Sequence, residues 1–229
     1  MSSVRAAIFD LDGTLVDAFA DITAAVNMPL VKRGVMPHPV ESIRQWVGDG
    51  AGMLVERATP SHLMNEIETI HEEMLVYYTA HSSDLAELYP GILEVLKGLH
   101  ADGVKIGVLT NKPHPVALDS CEKIGLTPYL HDVRGQCDVE SPRKPDPAAL
   151  YEQLERLAPD SVVMIGDGNP DGEVAQVAGI PFIACLWGTR TREQLAVYEP
   201  FAYAETPIEL AELVPRALTE NLRREAPRQ

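Results

Sequence analysis

The sequence predicts an α/β protein: a doubly wound parallel sheet carrying an inserted all-helical cap. Three observations predict it. Short apolar runs at Val4–Phe9, Lys105–Thr110, Ser161–Gly166 and Pro181–Trp187 have the length of buried strands. Helical patterns fill the gaps between the later runs, and alternation of this kind means βαβ units with right-handed crossovers. One block, from about Asp17 to Leu88, breaks the alternation and holds helical periodicity alone.

Taken in order, Val4–Phe9 is the first strand and ends at Asp10. Gly13-Thr14 is a hinge leading into the cap, whose helices are expected over Asp17–Lys32, Val40–Val47 and His62–Tyr78. In the last of these Leu63, Ile67, Ile70, Met74 and Tyr77 repeat at three- and four-residue steps. Tyr89-Pro90-Gly91 is the returning hinge. Helices then follow at Gly91–His100, Val116–Ile124, Pro147–Leu157 and Glu173–Ala178, with a weaker strand at Phe201–Ala204. The polar stretch Thr219–Gln229 is expected to fray. The division is therefore a core of 1–16 and 89–229 with a cap of 17–88.

Composition bounds the function. The 229 residues are 45% hydrophobic and 23% charged, which is ordinary for a globular chain. Asp and Glu number 34 against 19 Lys and Arg, for a net charge of −15. Such a field repels nucleic acid and anionic membranes, so neither is expected as a partner. No signal-peptide pattern or membrane-spanning run is read. Cys121, Cys137 and Cys185 are widely spaced without a CxxC, as for reduced thiols in a cytoplasmic protein. The seven histidines show no metal-ligand spacing, and no GxxxxGK[ST] loop occurs.

Polar residues follow the strand ends, where ligands of such sheets sit: Asp10-Leu11-Asp12, Thr110-Asn111-Lys112 and Asp167. Asp10 and Asp12 are two apart past a strand, a spacing that turns both to one side of extended backbone, and Gly13 permits a tight departure. The run Asp10-Leu11-Asp12-Gly13-Thr14-Leu15-Val16-Asp17 resembles the first motif of the haloacid dehalogenase superfamily, DxDGTxxD. Thr110, Lys144 in Arg143-Lys144-Pro145-Asp146-Pro147, and Gly166-Asp167-Gly168-Asn169-Pro170-Asp171 match its second, third and fourth motifs in order. The resemblance implies a Rossmann-like core and a phosphomonoester hydrolase acting through an aspartyl-phosphate. In that scheme Asp10 is the nucleophile and Asp12 the proton donor and acceptor. Thr110 and the Asn111 backbone hold phosphoryl oxygens, and Lys144 offsets their charge. Gly13, Thr14, Lys112, Arg44 and Gly50 join Asn111 as candidate substrate contacts. Asp10, Asp167, Asp171 and the Asp12 backbone carbonyl would ligate a cation. Four carboxyls would exclude a phosphate dianion without a divalent ion, and oxygen-only ligands point to Mg²⁺.

The segment Ile43–Ala58, with Gly48, Gly50 and Gly52, is similar to the cap of phosphoglycolate phosphatases, as is Thr110-Asn111-Lys112-Pro113. A small phosphorylated metabolite is therefore the implied substrate, for a monomer or homodimer. Sugar phosphates, nucleotides, pyrophosphate and a phosphomutase of the β-phosphoglucomutase type remain open. A dehalogenase is disfavoured because its chemistry needs no acid at Asp12. Gly168 stands where relatives carry Ser or Thr. Arg44 and Arg57 are equally readable as surface ion-pair partners, the three glycines as helix breaks, and Trp46 and Trp187 as packing groups. Residues 17–88 hold 11 acids and 4 bases, so the cap offers anions no general attraction and their capture has to be local.

Overall fold

The computed structural model describes residues 3–137 and 141–225. Strand β1 (Arg5–Phe9) opens the fold, and β2 (Val16–Asp17) follows it at the hinge. Four helices come next: α1 (Phe19–Lys32), α2 (Val40–Trp46), α3 (Ala51–Ala58) and α4 (Ile67–His81). Strand β3 (Glu87–Leu88) pairs antiparallel with β2, Val16 against Leu88, so the two crossings between cap and core form one narrow ribbon. The chain continues as α5 (Ile92–Ala101), β4 (Val104–Pro113), α6 (His114–Lys123) and β5 (Asp132–Gln136). Then come α7 (Pro147–Leu157), β6 (Ser161–Gly166), α8 (Asn169–Ala178), β7 (Phe182–Cys185), α9 (Arg192–Leu195), β8 (Ala202–Ala204) and α10 (Leu210–Glu225).

Six strands form a parallel sheet in the order β5-β4-β1-β6-β7-β8. Helices cover both faces, which is why β1 and β6 read as unbroken apolar runs: Ala6, Ala7, Ile8, Phe9, Val163, Met164 and Ile165 are fully buried. Register then determines the site. Phe9 pairs with Val108 on one side and Ile165 on the other, and Asp10 N–H donates to Ile165 O at 2.9 Å. One or two residues further along come Asp10, Thr110 and Asp167, so β1, β4 and β6 deliver these polar side chains to one edge of the sheet.

In the cap, α1 lies against α4, burying Phe19, Ile22, Val26 and Leu30 with Ile70, Met74 and Tyr78. The acidic face of α4 is tied back by Arg33, which reaches Glu66 at 2.9 Å and Glu73 at 3.1 Å.

Several expectations need correction. The α4 stripe continues to Tyr78, with Tyr77 only half-buried, and Leu63 belongs to a separate 3₁₀ turn over Ser61–Glu66. Helix α3 was unread because Gly52 sits inside it, whereas Gly48 and Gly50, both at positive φ, do break the chain between α2 and α3. Edge strand β5 (DVRGQ) has a single large apolar residue and gives no strand-length run. Helix α8 begins at Asn169, four residues early, with Pro170 in its first turn, where a missing N–H is harmless. The C-terminal stretch is helical as far as Glu225: Leu210, Val214, Ala217, Leu218 and Asn221 are buried on one face of α10, and Ser161 Oγ donates to Leu218 O. Residues 226–229 of that stretch lie outside the described residues.

Candidate active site

A cavity opens where the sheet edge meets the cap, lined from below by Asp10, Asp12, Thr110, Lys112, Lys144 and Asp167. Asp10 Oδ1 accepts from Leu11 N–H at 2.7 Å and lies 2.8 Å from Lys144 Nζ. Lys144 Nζ also meets Asp171 Oδ1 at 2.6 Å, so one buried ammonium joins two carboxylates. Burial alone would lower the Lys144 pKa; the Asp10 and Asp171 carboxylates outweigh it and hold the amine above its ordinary value.

Asp167 is clamped from both sides. Thr14 Oγ1 donates to its Oδ1 at 2.7 Å, and Thr189 donates to Oδ2 through both N–H and Oγ1 at 2.7 Å. Burial, and then the charge of Asp10, push its pKa up to about 6. Asp171 Oδ2 accepts from Gly168 N–H at 2.9 Å, which closes the first turn of α8. Burial, with Asp10 beside it, pushes Asp171 up as well. Asp10, Asp167 and Asp171 each offer one oxygen, all within 4.8 Å of one another. Three hard donors so close, with two of them, Asp10 and Asp171, sharing Lys144, suit a small divalent cation.

Asp12 points elsewhere. Its Oδ1 accepts from Lys112 Nζ at 2.9 Å, and Lys112 is almost wholly buried. Burial raises the Asp12 pKa despite that pairing. The Asp12 side chain thus faces the cavity and lies outside the three-carboxylate cluster. Thr110 Oγ1 accepts from Lys112 N–H at 3.2 Å, leaving its own proton to donate. Asn111 Nδ2 donates to Lys144 O and to Gly48 O, both at 2.8 Å, and so joins the core to the cap.

Other expected contacts fall differently. Gly13 and Thr14 hold Asp167 and are not cavity-lining; at φ +90°, a Cβ on Gly13 would sit 2.5 Å from Asp167 Oδ2. Gly50 lines the cavity and caps the start of α3. Arg44 is not brought to the cluster: it pairs with Asp17 at 3.3 Å and lies over the Phe19 ring at 4.0 Å. Arg57 pairs with Asp49 and donates to Trp46 O. Trp187 packs at the domain edge, and its Nε1 donates to Thr14 O at 3.1 Å. The sequence reading missed Thr189, Gly188 and Tyr78. Thr189 lies four residues past the end of β7, beyond the reach of the strand-end rule that found Asp167.

Comparison with known proteins agrees with this geometry. The family model described as haloacid dehalogenase-like hydrolase matches residues 7–185. A phosphoglycolate phosphatase of Rhodospirillum rubrum is 36% identical over 214 residues, covering 86% of this chain and 88% of that one. A phosphoglycolate phosphatase of Pseudomonas fluorescens is 35% identical over 203 residues, covering 86% and 74%. A solved haloacid dehalogenase-like family hydrolase from Streptococcus pneumoniae superposes with a TM-score of 0.82 at 25% identity, covering 93% of this chain and 99% of that chain. With its strand-end carboxylates, its buried lysine and relatives of this kind, the chain belongs to the haloacid dehalogenase-like hydrolases and is a phosphoric monoester hydrolase.

Proposed function

We propose that this enzyme hydrolyses phosphoglycolate, in two steps, through a phosphoryl group carried on Asp10. The observation that supports this reading best is Asp10 fixed against Lys144 at the floor of a cavity whose other wall comes from the helical block. Asp10 Oδ2, the oxygen outside the bonds to Leu11 and Lys144, attacks phosphorus. Lys144 balances the charge that Asp10 and the phosphoryl oxygens bring together. The Thr110 hydroxyl and the Asn111 N–H donate to those oxygens. Asp12 gives a proton to the departing alcohol and takes one from the water that releases phosphate.

The side chains of Asp10, Asp167 and Asp171, with the Asp12 carbonyl, would hold Mg²⁺. A bound Mg²⁺ would neutralise charge on the phosphoryl oxygens. Thr14 and Thr189 orient Asp167 for that task, and Gly168 N–H orients Asp171. Residues 17–88 act as a lid hinged on the β2–β3 ribbon, shielding the phosphorylated Asp10 from bulk water. A cytoplasmic setting belongs to this reading and is supported by three free cysteines. None of the described helices is long and apolar enough to cross a membrane.

The test is phosphate release with Mg²⁺ present, comparing kcat/KM for phosphoglycolate, sugar phosphates, nucleotides and pyrophosphate. Phosphoglycolate is expected to lead. A higher ratio for another class would replace it, and a sugar bisphosphate formed in place of free phosphate would make the enzyme a mutase.

A further inference from the structure

The cap side of the cavity is apolar where it faces the leaving group: Ile22, Val47, Leu54 and Met74 line it. Neither cap arginine named above reaches it, since Arg44 is held by Asp17 and Arg57 by Asp49. Among the described residues lining the cavity, a second negative charge therefore meets cations on the core side, at Lys144 and Lys112. Lys144 is committed to the phosphoryl end by its two carboxylates.

Lys112 is not committed in the same way. Its side chain is 1% exposed, and its ammonium bonds to Asp12 while lying close to the Tyr78 hydroxyl. An ammonium has three donors, so at least one remains for the cavity. Tyr78 comes down from α4 on the cap, with Lys112 Nζ over its ring at 4.9 Å from the centroid. Tyr78 is 3% exposed, lines the same cavity, and its hydroxyl proton has no acceptor within the chain. A buried hydroxyl without a partner is costly, and a phenylalanine would fill the same space without that cost. The hydroxyl therefore needs an acceptor from outside the chain. Burial also keeps the phenol protonated, hence a donor.

The Lys112 ammonium and the Tyr78 phenol thus bring donors to the cavity beside Asp12, on the side where the leaving oxygen takes its proton. A carboxylate supplies two oxygens with about four acceptor positions and a balancing charge, whereas a hydroxyl supplies one uncharged oxygen. We propose that Tyr78 and Lys112 form the subsite that reads a carboxylate on the leaving group, with Tyr78 the specificity residue contributed by the cap. This rests on the phosphomonoesterase reading above and names what sets its substrate choice.

The experiment uses the full chain with Mg²⁺, as wild type and as Tyr78→Phe. Two substrate pairs differ only in carboxylate against hydroxyl: phosphoglycolate with 2-hydroxyethyl phosphate, and 3-phosphoglycerate with glycerol 3-phosphate. Tyr78→Phe is expected to cut the preference for the carboxylate member by about tenfold or more, mainly through KM, while the hydroxyl member stays within about twofold. Glycolate should weaken as a competitive inhibitor by a similar factor, a readout that needs no turnover. A Tyr78-dependent preference seen with 3-phosphoglycerate and not with phosphoglycolate keeps the subsite and overturns phosphoglycolate as substrate. An unchanged preference in Tyr78→Phe overturns the subsite and leaves phosphoglycolate standing. Wild type indifferent to the carboxylate in both pairs overturns the subsite.

Discussion

Asp167→Asn separates the charge of the site from its shape. The amide oxygen can face Thr189 and accept both of its bonds, while the amide nitrogen faces Thr14, whose hydroxyl turns from donor to acceptor. Packing and hydrogen bonding are conserved, and the buried charge is removed. In the wild type that charge is unfavourable. A carboxyl raised from 3.8 to about 6 on folding costs up to about 3 kcal/mol of stability once ionised, at about 1.36 kcal/mol per tenfold change. The native state binds the extra proton between these two values, so wild-type stability falls as pH rises from about 4 to about 6 and stays lowered above. In EDTA at pH 8, Asp167→Asn is therefore expected to melt higher than wild type, by about 2–4 °C for each kcal/mol recovered in a chain of this size. The difference should close at about pH 4, below both values. Mg²⁺ should reverse the order: a saturating cation stabilises wild type by about 2.7 kcal/mol at a hundredfold excess over Kd, and the variant little. Differential scanning fluorimetry over pH, with and without Mg²⁺, measures all of this alongside turnover. A variant less stable than wild type in EDTA at pH 8, or one that keeps wild-type turnover, would refute the reasoning.

Other outcomes follow from the same geometry. Asp10→Asn should abolish phosphate release at near-constant shape, read by a malachite-green assay with circular dichroism as the control for folding. Gly188→Ala would place a Cβ against the Asp167 carboxylate and should lower both activity and stability, the latter by about 1–3 kcal/mol in urea melts. His131 accepts from Ile106 N–H at 3.1 Å through Nδ1, and burial, with His100 and Lys105 nearby, lowers its pKa. Protonation breaks that bond, so acidification below about pH 6.5 should cost stability in wild type and less in His131→Asn; equal slopes for the two would count against it.

The site was legible in sequence wherever a polar residue ended a fully buried apolar run. In a sheet covered on both faces the apolar run stops at the carboxyl edge, so Asp10, Thr110 and Asp167 announce themselves. Lys144 lies in a loop and was found through the motif, not through periodicity. Thr189 was hidden by a turn: β7 ends at Cys185, and Leu186, Trp187 and Gly188 separate it from the hydroxyl that grips Asp167. Tyr78 was invisible because aromatic residues at helical spacing look alike whether they pack or bind. Only the fold distinguishes Tyr78 from Tyr77. Among the elements, β5 and α10 were missed for opposite reasons. An edge strand needs few apolar residues, and the buried stripe of α10 is diluted by charged neighbours and interrupted by Pro215.

The bonds that join the two halves above the cavity have a common character. Asn111 reaches Gly48 O, and Arg190 reaches Gln45 O at 3.3 Å and Val47 O at 3.4 Å. In each, a core side chain grips a main-chain carbonyl of the cap, an atom every amino acid possesses. At these three bonds the grip does not depend on cap side chains, unlike the Ser82–Asp119 and Ser83–Ser120 bonds that also join the two halves. Cap residues facing the leaving group can be exchanged without loosening the carbonyl bonds or touching the residues where the chemistry is done.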